Sequence, residues 1–435
     1  MKRNTNENKI VFLIWFVSLV LITISIFTSP ILSIAALLIM IISFVFLSPE
    51  KSLVLLFGIL PYANIFKYKP ETTSFFTIAE ILLVLILVIK IKKIKLFPLS
   101  CLIILFGYTL ITSANNLNLL LIIKVFSAFL LIYYSVRLIK INDFKQLTLL
   151  LTISTIITLI LSNNSWYFSF LSNYFSDLNY YNDGFSSSNI VRSSGFMGDP
   201  NYCAMLIIVV ITILCVLYYH KDIGNIFWLF IVLLVPLGML TYSKSYFLCL
   251  VVLVFLMIIF VIFPKHKVWA VCCLAIVPIL AFFVFSGKFE SVNMILDRFN
   301  ADDITTGRND LNIAFLNHIV SSPSNLILGS GIGSSRIVGV SNTVHNIYIE
   351  LFYKYGLLGS SLFILTLFSL FPRRFKTTKY KVVNFFPLCF VVIMYFFLAG
   401  IEMFEFPFYI ILSFVSLNYK TSFNKTNMNI IGCEV

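Results

Sequence analysis

Long unbroken apolar runs, each close to the length of a bilayer crossing, recur along the whole chain, and no other feature limits its fold so tightly. A helix needs about 20 apolar residues to cross roughly 30 Å of hydrocarbon. Barrel strands would instead show short alternating segments, and in lipid a helix is the other structure that satisfies its own backbone. Spans are predicted at 10–28, 31–47, 52–66, 75–91, 96–113, 117–139, 144–161, 201–219, 225–241, 245–263, 267–286, 346–371, 383–399 and 402–418. The run Leu53–Phe66 is short, contains Pro61 and could be re-entrant, and the second span is lean, so about 12 to 14 crossings are expected. No small-residue cleavage site follows the first run, which therefore reads as a span and not a leader. The chain, 60% apolar and 11% charged, has too few polar residues to coat a soluble domain of this size. The prediction is a single all-α integral membrane domain over residues 1–435, a polytopic transmembrane helical bundle.

The formal charge of +13 would suit nucleic acid if it lay on one surface. It lies in short gaps between spans, which makes it topogenic, and no nucleic-acid partner is expected. With the basic N-terminus in the cytoplasm, alternation puts Lys90, Lys92, Lys93 and Lys95 inside, then Arg137, Lys140 and Lys145, then Lys265 and Lys267, then Arg373, Arg374, Lys376, Lys379 and Lys381. About 21 of the 31 basic residues fall on that side, as the positive-inside rule requires. Both termini are then cytoplasmic. The eight cysteines sit almost all inside apolar runs with no metal-ligand spacing, and read as core thiols.

Two loops break the pattern of short connections: residues 162–200, rich in Ser, Asn, Tyr and Asp, and residues 287–345. Both fall on the extracytoplasmic face, together with the turn around Thr241–Tyr246. Long loops in compact proteins tend to carry function. In the second loop Leu311, Phe315, His318 and Ile319 recur at helical spacing, which predicts an amphipathic helix lying on the membrane surface.

Basic residues beside spans on the outer face run against the positive-inside bias and need a reason. Arg192 stands at the mouth of the eighth span, Lys244 in the Ser243-Lys244-Ser245 turn, and Arg308 where the surface helix should begin; His345-Asn346 opens the twelfth span. A bundle can gather them around one cavity. Arg and Lys together suit a phosphate or pyrophosphate, through a planar fork and a compact charge. On a lipid pyrophosphate they would stabilise charge growing on the leaving group, where soluble glycosyltransferases often use a metal. His345 can take a proton from an acceptor hydroxyl.

Blander readings stand beside these. Each of the four can be a solvated, turn or helix-start residue. Asp199-Pro200-Asn201 is an ordinary helix start, with Asp as N-cap and Pro at N1. His220 and His266 lie in cytoplasmic gaps, and His318 on the polar side of the surface helix. The run Gly329-Ser330-Gly331-Ile332-Gly333 lacks the GxGxxG spacing of a nucleotide loop; it reads as a tight turn whose N–H groups can approach a ligand. Lys124 and Glu80, costly inside a membrane, count as further candidates. Asp302-Asp303 is the nearest approach to a metal pair.

The sequence Arg-x-x-Gly-Phe-Met-Gly-Asp-Pro-Asn-Tyr from Arg192, the Ser-Lys-Ser turn, the Gly307-Arg308 pair, the Gly-x-Gly-x-Gly turn and His-Asn-x-Tyr from His345 together resemble the bacterial O-antigen polymerase and O-antigen ligase superfamily. The resemblance covers roughly residues 190–370. It implies a glycosyltransferase-C-like bundle acting on undecaprenyl-pyrophosphate-linked oligosaccharide at the outer face of the bacterial cytoplasmic (inner) membrane. By that likeness Arg192, Arg308 and His345 are the catalytic positions, and Lys244, Asp199, Asn201, Asn346, Gly331 and Gly333 contact substrate. Lys244 stands where the family usually has Arg, keeping the charge but losing the fork. Neither metal nor other cofactor is implied. The expected activity is polymerisation of lipid-linked repeat units for O-antigen, capsule or exopolysaccharide, with membrane lipid, a chain-length regulator and a flippase as partners. The alternatives are a ligase moving the same glycan to lipid A core and, in another class, a flippase. A flippase should place its ionisable residues along an intramembrane cavity, and here they concentrate in the outer loops.

Overall fold

A computed structural model describes residues 2–67, 74–91, 95–114, 118–162, 192–262, 308–332, 344–371, 382–398, 400–401 and 403–419. The predicted span at 267–286, most of the first long loop, His266, Asp302-Asp303 and Gly333 lie outside them. The protein is an all-α polytopic membrane protein, as the apolar runs required.

In chain order the helices are α1 (Lys2–Phe27), α2 (Pro30–Phe46), α3 (Pro49–Ile59, continued by a 3₁₀ segment, Leu60–Ile65), α4 (Phe76–Lys90), α5 (Leu96–Thr112), α6 (Leu119–Leu138), α7 (Ile141–Ser162), α8 (Pro200–Tyr219), α9 (Ile226–Met239), α10 (Lys244–Met257, then a π turn, Ile258–Ile262), α11 (Arg308–Val320), α12 (Pro323–Leu328), α13 (Ile347–Leu370), α14 (Phe386–Met394, after a 3₁₀ turn, Val382–Phe385) and α15 (Glu405–Leu417). Asn6–Phe27, α6, α7, α8 and α13 are long and apolar enough to cross a membrane alone. Shorter apolar helices fill in around them. α8 is the centre: every residue from Cys203 to Leu217 is buried. α1 is peripheral, with Phe12, Leu13 and Phe16 bare on its outer side. Bare apolar side chains on so many helices make sense when lipid is their solvent.

Hydrogen bonds sort the helix ends into two sets. At one end Lys90 Nζ caps the carbonyls of Phe44, Val45 and Leu47, Lys140 pairs with Glu50 at 3.0 Å, and Lys51 is buried against Asp143 at 2.6 Å. Further round, Asn384 Nδ2 donates to Tyr419 O, and Tyr419 OH donates to Asp222. At the opposite end Asn64 Nδ2 donates to Met197 O, the Ser162 and Ser193 hydroxyls pair, and Ile332 N donates to Ser113 Oγ. Every one of these contacts joins ends that alternation along the sequence assigns to the same face.

The doubtful third span is settled by its two ends. Lys51 meets Asp143 at the start of α7, whereas Asn64 meets Met197, beyond the far end of α7. Eleven α-helical residues rise only about 16 Å, but the 3₁₀ continuation adds roughly 12 Å. The element therefore runs alongside α7 from one end to the other and does not turn back. Every residue from Lys51 to Ala63 is buried. Trp15 Nε1 and Ser154 Oγ both donate to Gly58 O, pinning it to α1 and α7.

The predicted amphipathic helix is α11. Phe315 and Ile319 pack against Val344 and Tyr353, while Ile313, Leu316 and Val320 remain bare. Leu326, Ile327 and Leu328 of α12 continue that bare apolar strip, as suits a hairpin lying along a membrane.

Candidate functional site

Four helices begin at the end opposite the basic one, each at a residue singled out in the sequence. α8 starts behind Asp199, whose carboxylate accepts from Asn201 N at 2.6 Å, with Pro200 at N1. Ser243 Oγ caps α10 by accepting from Tyr246 N, and Lys244 is the first residue of that helix. Asn346 Oδ1 caps α13, accepting from Tyr348 N and Ile349 N. Arg308 opens α11. Helix N-termini carry partial positive charge and unsatisfied N–H groups, so this end of the bundle favours an anion.

Arg192 is buried at the start of α8. Its Nε donates to Thr241 O at 3.0 Å and one terminal nitrogen donates to Asn201 Oδ1 at 3.3 Å. Ser243 Oγ donates to the same Asn201 oxygen at 3.1 Å and also pairs with Ser245 Oγ at 2.8 Å. Arg192 and Asn201 thus tie the start of α8 to the turn that presents Lys244. Just before that turn Tyr242 takes φ 46°, a left-handed conformation that is costly for a bulky residue. Such strain is typical of turns whose shape matters for function.

His345 is the meeting point. Its imidazole pKa is held below the ordinary histidine range by burial and, secondarily, by the nearby Arg308 guanidinium; the Asp199 and Glu350 carboxylates pull the other way. Residues from α8, α11 and α13, far apart in sequence, therefore lie within electrostatic reach of one ring. Burial and the neighbouring cation both favour neutral imidazole, the form that can accept a proton. Arg308 is held in turn by donation to Phe397 O at 3.2 Å.

Sequence reasoning passed over Glu350. It lies five residues after His345 and is buried, paired with Lys354 at 2.7 Å; its second oxygen accepts from Gly400 N at 2.6 Å and Ile401 N at 3.3 Å. One carboxylate so binds α13 to the α14–α15 turn beside His345. The signal was available: a Glu–Lys pair at i, i+4 inside an apolar helix is expensive unless both are engaged.

The glycine turn does something other than expected. α13 breaks at Gly356, where φ is 60°, and such a kink leaves carbonyls without their helical donors. Ser330 N donates to Tyr353 O at 2.8 Å and Gly331 N to Lys354 O at 3.0 Å, supplying that need. A Cβ on Gly331 would lie 2.7 Å from Thr112 O. The Gly331 N–H is spent on the protein, and the turn is a clamp on a kinked helix. Asn346 and Asp199 likewise use side-chain oxygen as caps. Of the intramembrane candidates, Glu80 is buried with neither carboxylate oxygen hydrogen-bonded among the described residues. Lys124 and Glu405 lie within its electrostatic reach. His220 sits at the basic end beside Asn384, and His318 lies within reach of Asn325 and Ser330 on the α11–α12 hairpin.

Comparison with known proteins gives one match. Residues 229–364 fit a family described as O-antigen ligase. That stretch contains Lys244, Arg308, Gly331, His345 and Asn346 and begins after Arg192, Asp199 and Asn201. No curated protein and no solved structure matches the chain.

Proposed function

We propose, from the fit of residues 229–364 to a family described as O-antigen ligase, that the chain is a glycosyltransferase-like membrane enzyme that polymerises lipid-linked oligosaccharide repeat units. The observation that carries this reading is that Arg308, Asp199 and Glu350 lie within electrostatic reach of His345 at the end of the bundle where α8, α10, α11 and α13 begin. Positive helix ends and Arg308, joined by Lys244, suit an undecaprenyl pyrophosphate leaving group. The opposite end, rich in Lys, faces the cytoplasm under the positive-inside rule. The site then faces the periplasm or exterior of the inner membrane, and the apolar strip of α11 and α12 lies in the outer leaflet.

In the reaction an acceptor sugar hydroxyl of one lipid-linked repeat approaches His345, which takes its proton. The hydroxyl oxygen bonds to the anomeric carbon of the growing glycan. The bond from that carbon to the pyrophosphate oxygen breaks, and the electron pair leaves with the pyrophosphate, where Arg308 and the helix ends stabilise it. Arg192 acts as a positioning residue. It is buried and holds the Lys244 turn against α8.

The test is a strain in which Arg308→Ala or His345→Ala replaces the wild-type gene, with expression checked by blot, scored by glycan ladder. Loss of the ladder with accumulation of single-repeat glycolipid is the expected result. Long unattached chains would identify a ligase instead. Normal ladders from both variants would refute the site.

A further inference from the structure

A cavity lies at the basic end, at the opposite end of the bundle from His345. It is about 940 Å³, at the upper side of the ~300–1,000 Å³ usual for ligand pockets. Three cations line it, Lys95, Arg137 and Lys140, and no carboxylate lines it among the described residues. Of the nearby acids, Glu50 pairs with Lys140, Asp143 with Lys51, and Asp222 accepts from Tyr419 OH, which leaves Lys95 and Arg137 as the lining cations without a carboxylate partner among the described residues. The Lys95 ammonium makes no hydrogen bond or ion pair among the described residues.

Arg137 is pre-organised. Its guanidinium lies 3.5 Å over the Tyr133 ring, and one nitrogen donates to Tyr133 O at 2.9 Å. The Tyr133 hydroxyl in turn accepts from the Lys95 backbone N–H at 2.8 Å, so a single buried tyrosine holds the Arg137 guanidinium and the chain at Lys95. α5 begins at the same place with no capping side chain, and its third residue, Pro98, has no N–H. With Phe97 and Pro98 in the lining, the positive end of the α5 dipole is brought to the cavity. Phe97, Phe371 and Val415 make an apolar wall alongside.

A phosphate beside the pre-set Arg137 guanidinium and the Lys95 ammonium, next to an apolar wall, describes the head of a lipid. We propose that this cavity binds the phosphodiester headgroup of an anionic phospholipid, with Lys95 and Arg137 as its principal ligands. Basic pockets between membrane helices at the cytoplasmic side commonly recognise such heads. The site is independent of the glycan chemistry proposed above, and its test succeeds or fails whatever that reaction is.

The experiment titrates purified full-length protein in neutral detergent with phosphatidylglycerol, phosphatidylcholine and inorganic phosphate, read by native mass spectrometry. Phosphatidylglycerol should be retained in preference to phosphatidylcholine. Lys95→Gln, at an exposed residue that cannot disturb the fold, should weaken it about fivefold, as expected for one surface charge. Arg137→Gln should do at least as much, and Arg137→Lys should recover most of the loss. Lys145→Gln, at the same end but outside the cavity, should change nothing. Equal retention of the two lipids, or equal weakening by Lys145→Gln, overturns the proposal. Displacement of phosphatidylglycerol by millimolar inorganic phosphate would overturn the lipid assignment and leave a site for free phosphate.

Discussion

Lys354→Met should be the most damaging single change outside the reacting residues. The ammonium is one half of a pair whose side chains are 6% and 8% exposed, with a 2.7 Å contact. Methionine fills the same volume, so the loss is electrostatic. It leaves the Glu350 carboxylate buried with only two backbone donors, Gly400 N and Ile401 N. Breaking a buried pair by removing one partner costs about 3–5 kcal/mol, or about two to four powers of ten in the folded fraction. The double variant Glu350→Gln, Lys354→Met should be markedly more stable than Lys354→Met alone, since neutral Gln still accepts from Gly400 and leaves no stranded charge. Glu350→Leu should not recover as much, because the Gly400 N–H is then orphaned at about 1–3 kcal/mol. Equilibrium unfolding in mixed micelles, titrated with dodecyl sulfate, measures all three. A cost below about 1 kcal/mol for Lys354→Met, the range of an exposed pair, would refute the claim that this pair is a dry strut. So would a double variant no better than the single.

Arg308→Gln removes the cation that helps hold His345 below its ordinary pKa, so that pKa should rise; burial, the larger cause, remains and the rise should be partial. The base works as neutral imidazole, so the acidic limb of the kcat/KM profile should move to higher pH. A limb that stays in place or moves down would contradict the coupling. The same residue bears on stability: a depressed histidine pKa means that protonation opposes folding, so wild-type stability should fall as pH drops through the unfolded value of about 6.5, and His345→Gln should flatten that fall in unfolding measured across pH. Arg192→Gln should lower kcat more than it raises KM, since it loosens the Lys244 turn, and Arg192→Lys should rescue poorly because one ammonium cannot reproduce the bonds to Thr241 and Asn201. Gly356→Ala should destabilise the fold, because a Cβ there meets Gly329 N at 2.5 Å with φ at 60°; a thermal midpoint equal to wild type would refute it.

What the sequence could and could not reveal follows from the physics of each signal. Bilayer spans are legible because lipid demands length and apolarity together, and the cation bias adds side; even the doubtful Leu53–Phe66 run was only ambiguous because a 3₁₀ continuation stretches fewer residues over the same thickness. The N-cap Asp199-Pro200 was legible because the cap is local. The burial of Arg192 was not legible, since its partners, Thr241 and Asn201, lie 49 and 9 residues away and burial is a long-range property. The partners of the glycine run were hidden for the same reason: the Ser330 and Gly331 N–H groups serve carbonyls exposed by a kink at Gly356, which has no sequence signature of its own beyond glycine. The candidate site therefore divides by range. Residue types and their side of the membrane are written locally, but which of them becomes a ligand and which a strut is decided by where helices α8, α10, α11 and α13 start relative to one another. That relation brings one guanidinium and two carboxylates within electrostatic reach of His345 and holds its imidazole below the ordinary range, which no feature of its own segment suggested. A pH profile altered by Arg308 but unaltered by Gly331 would separate the two classes.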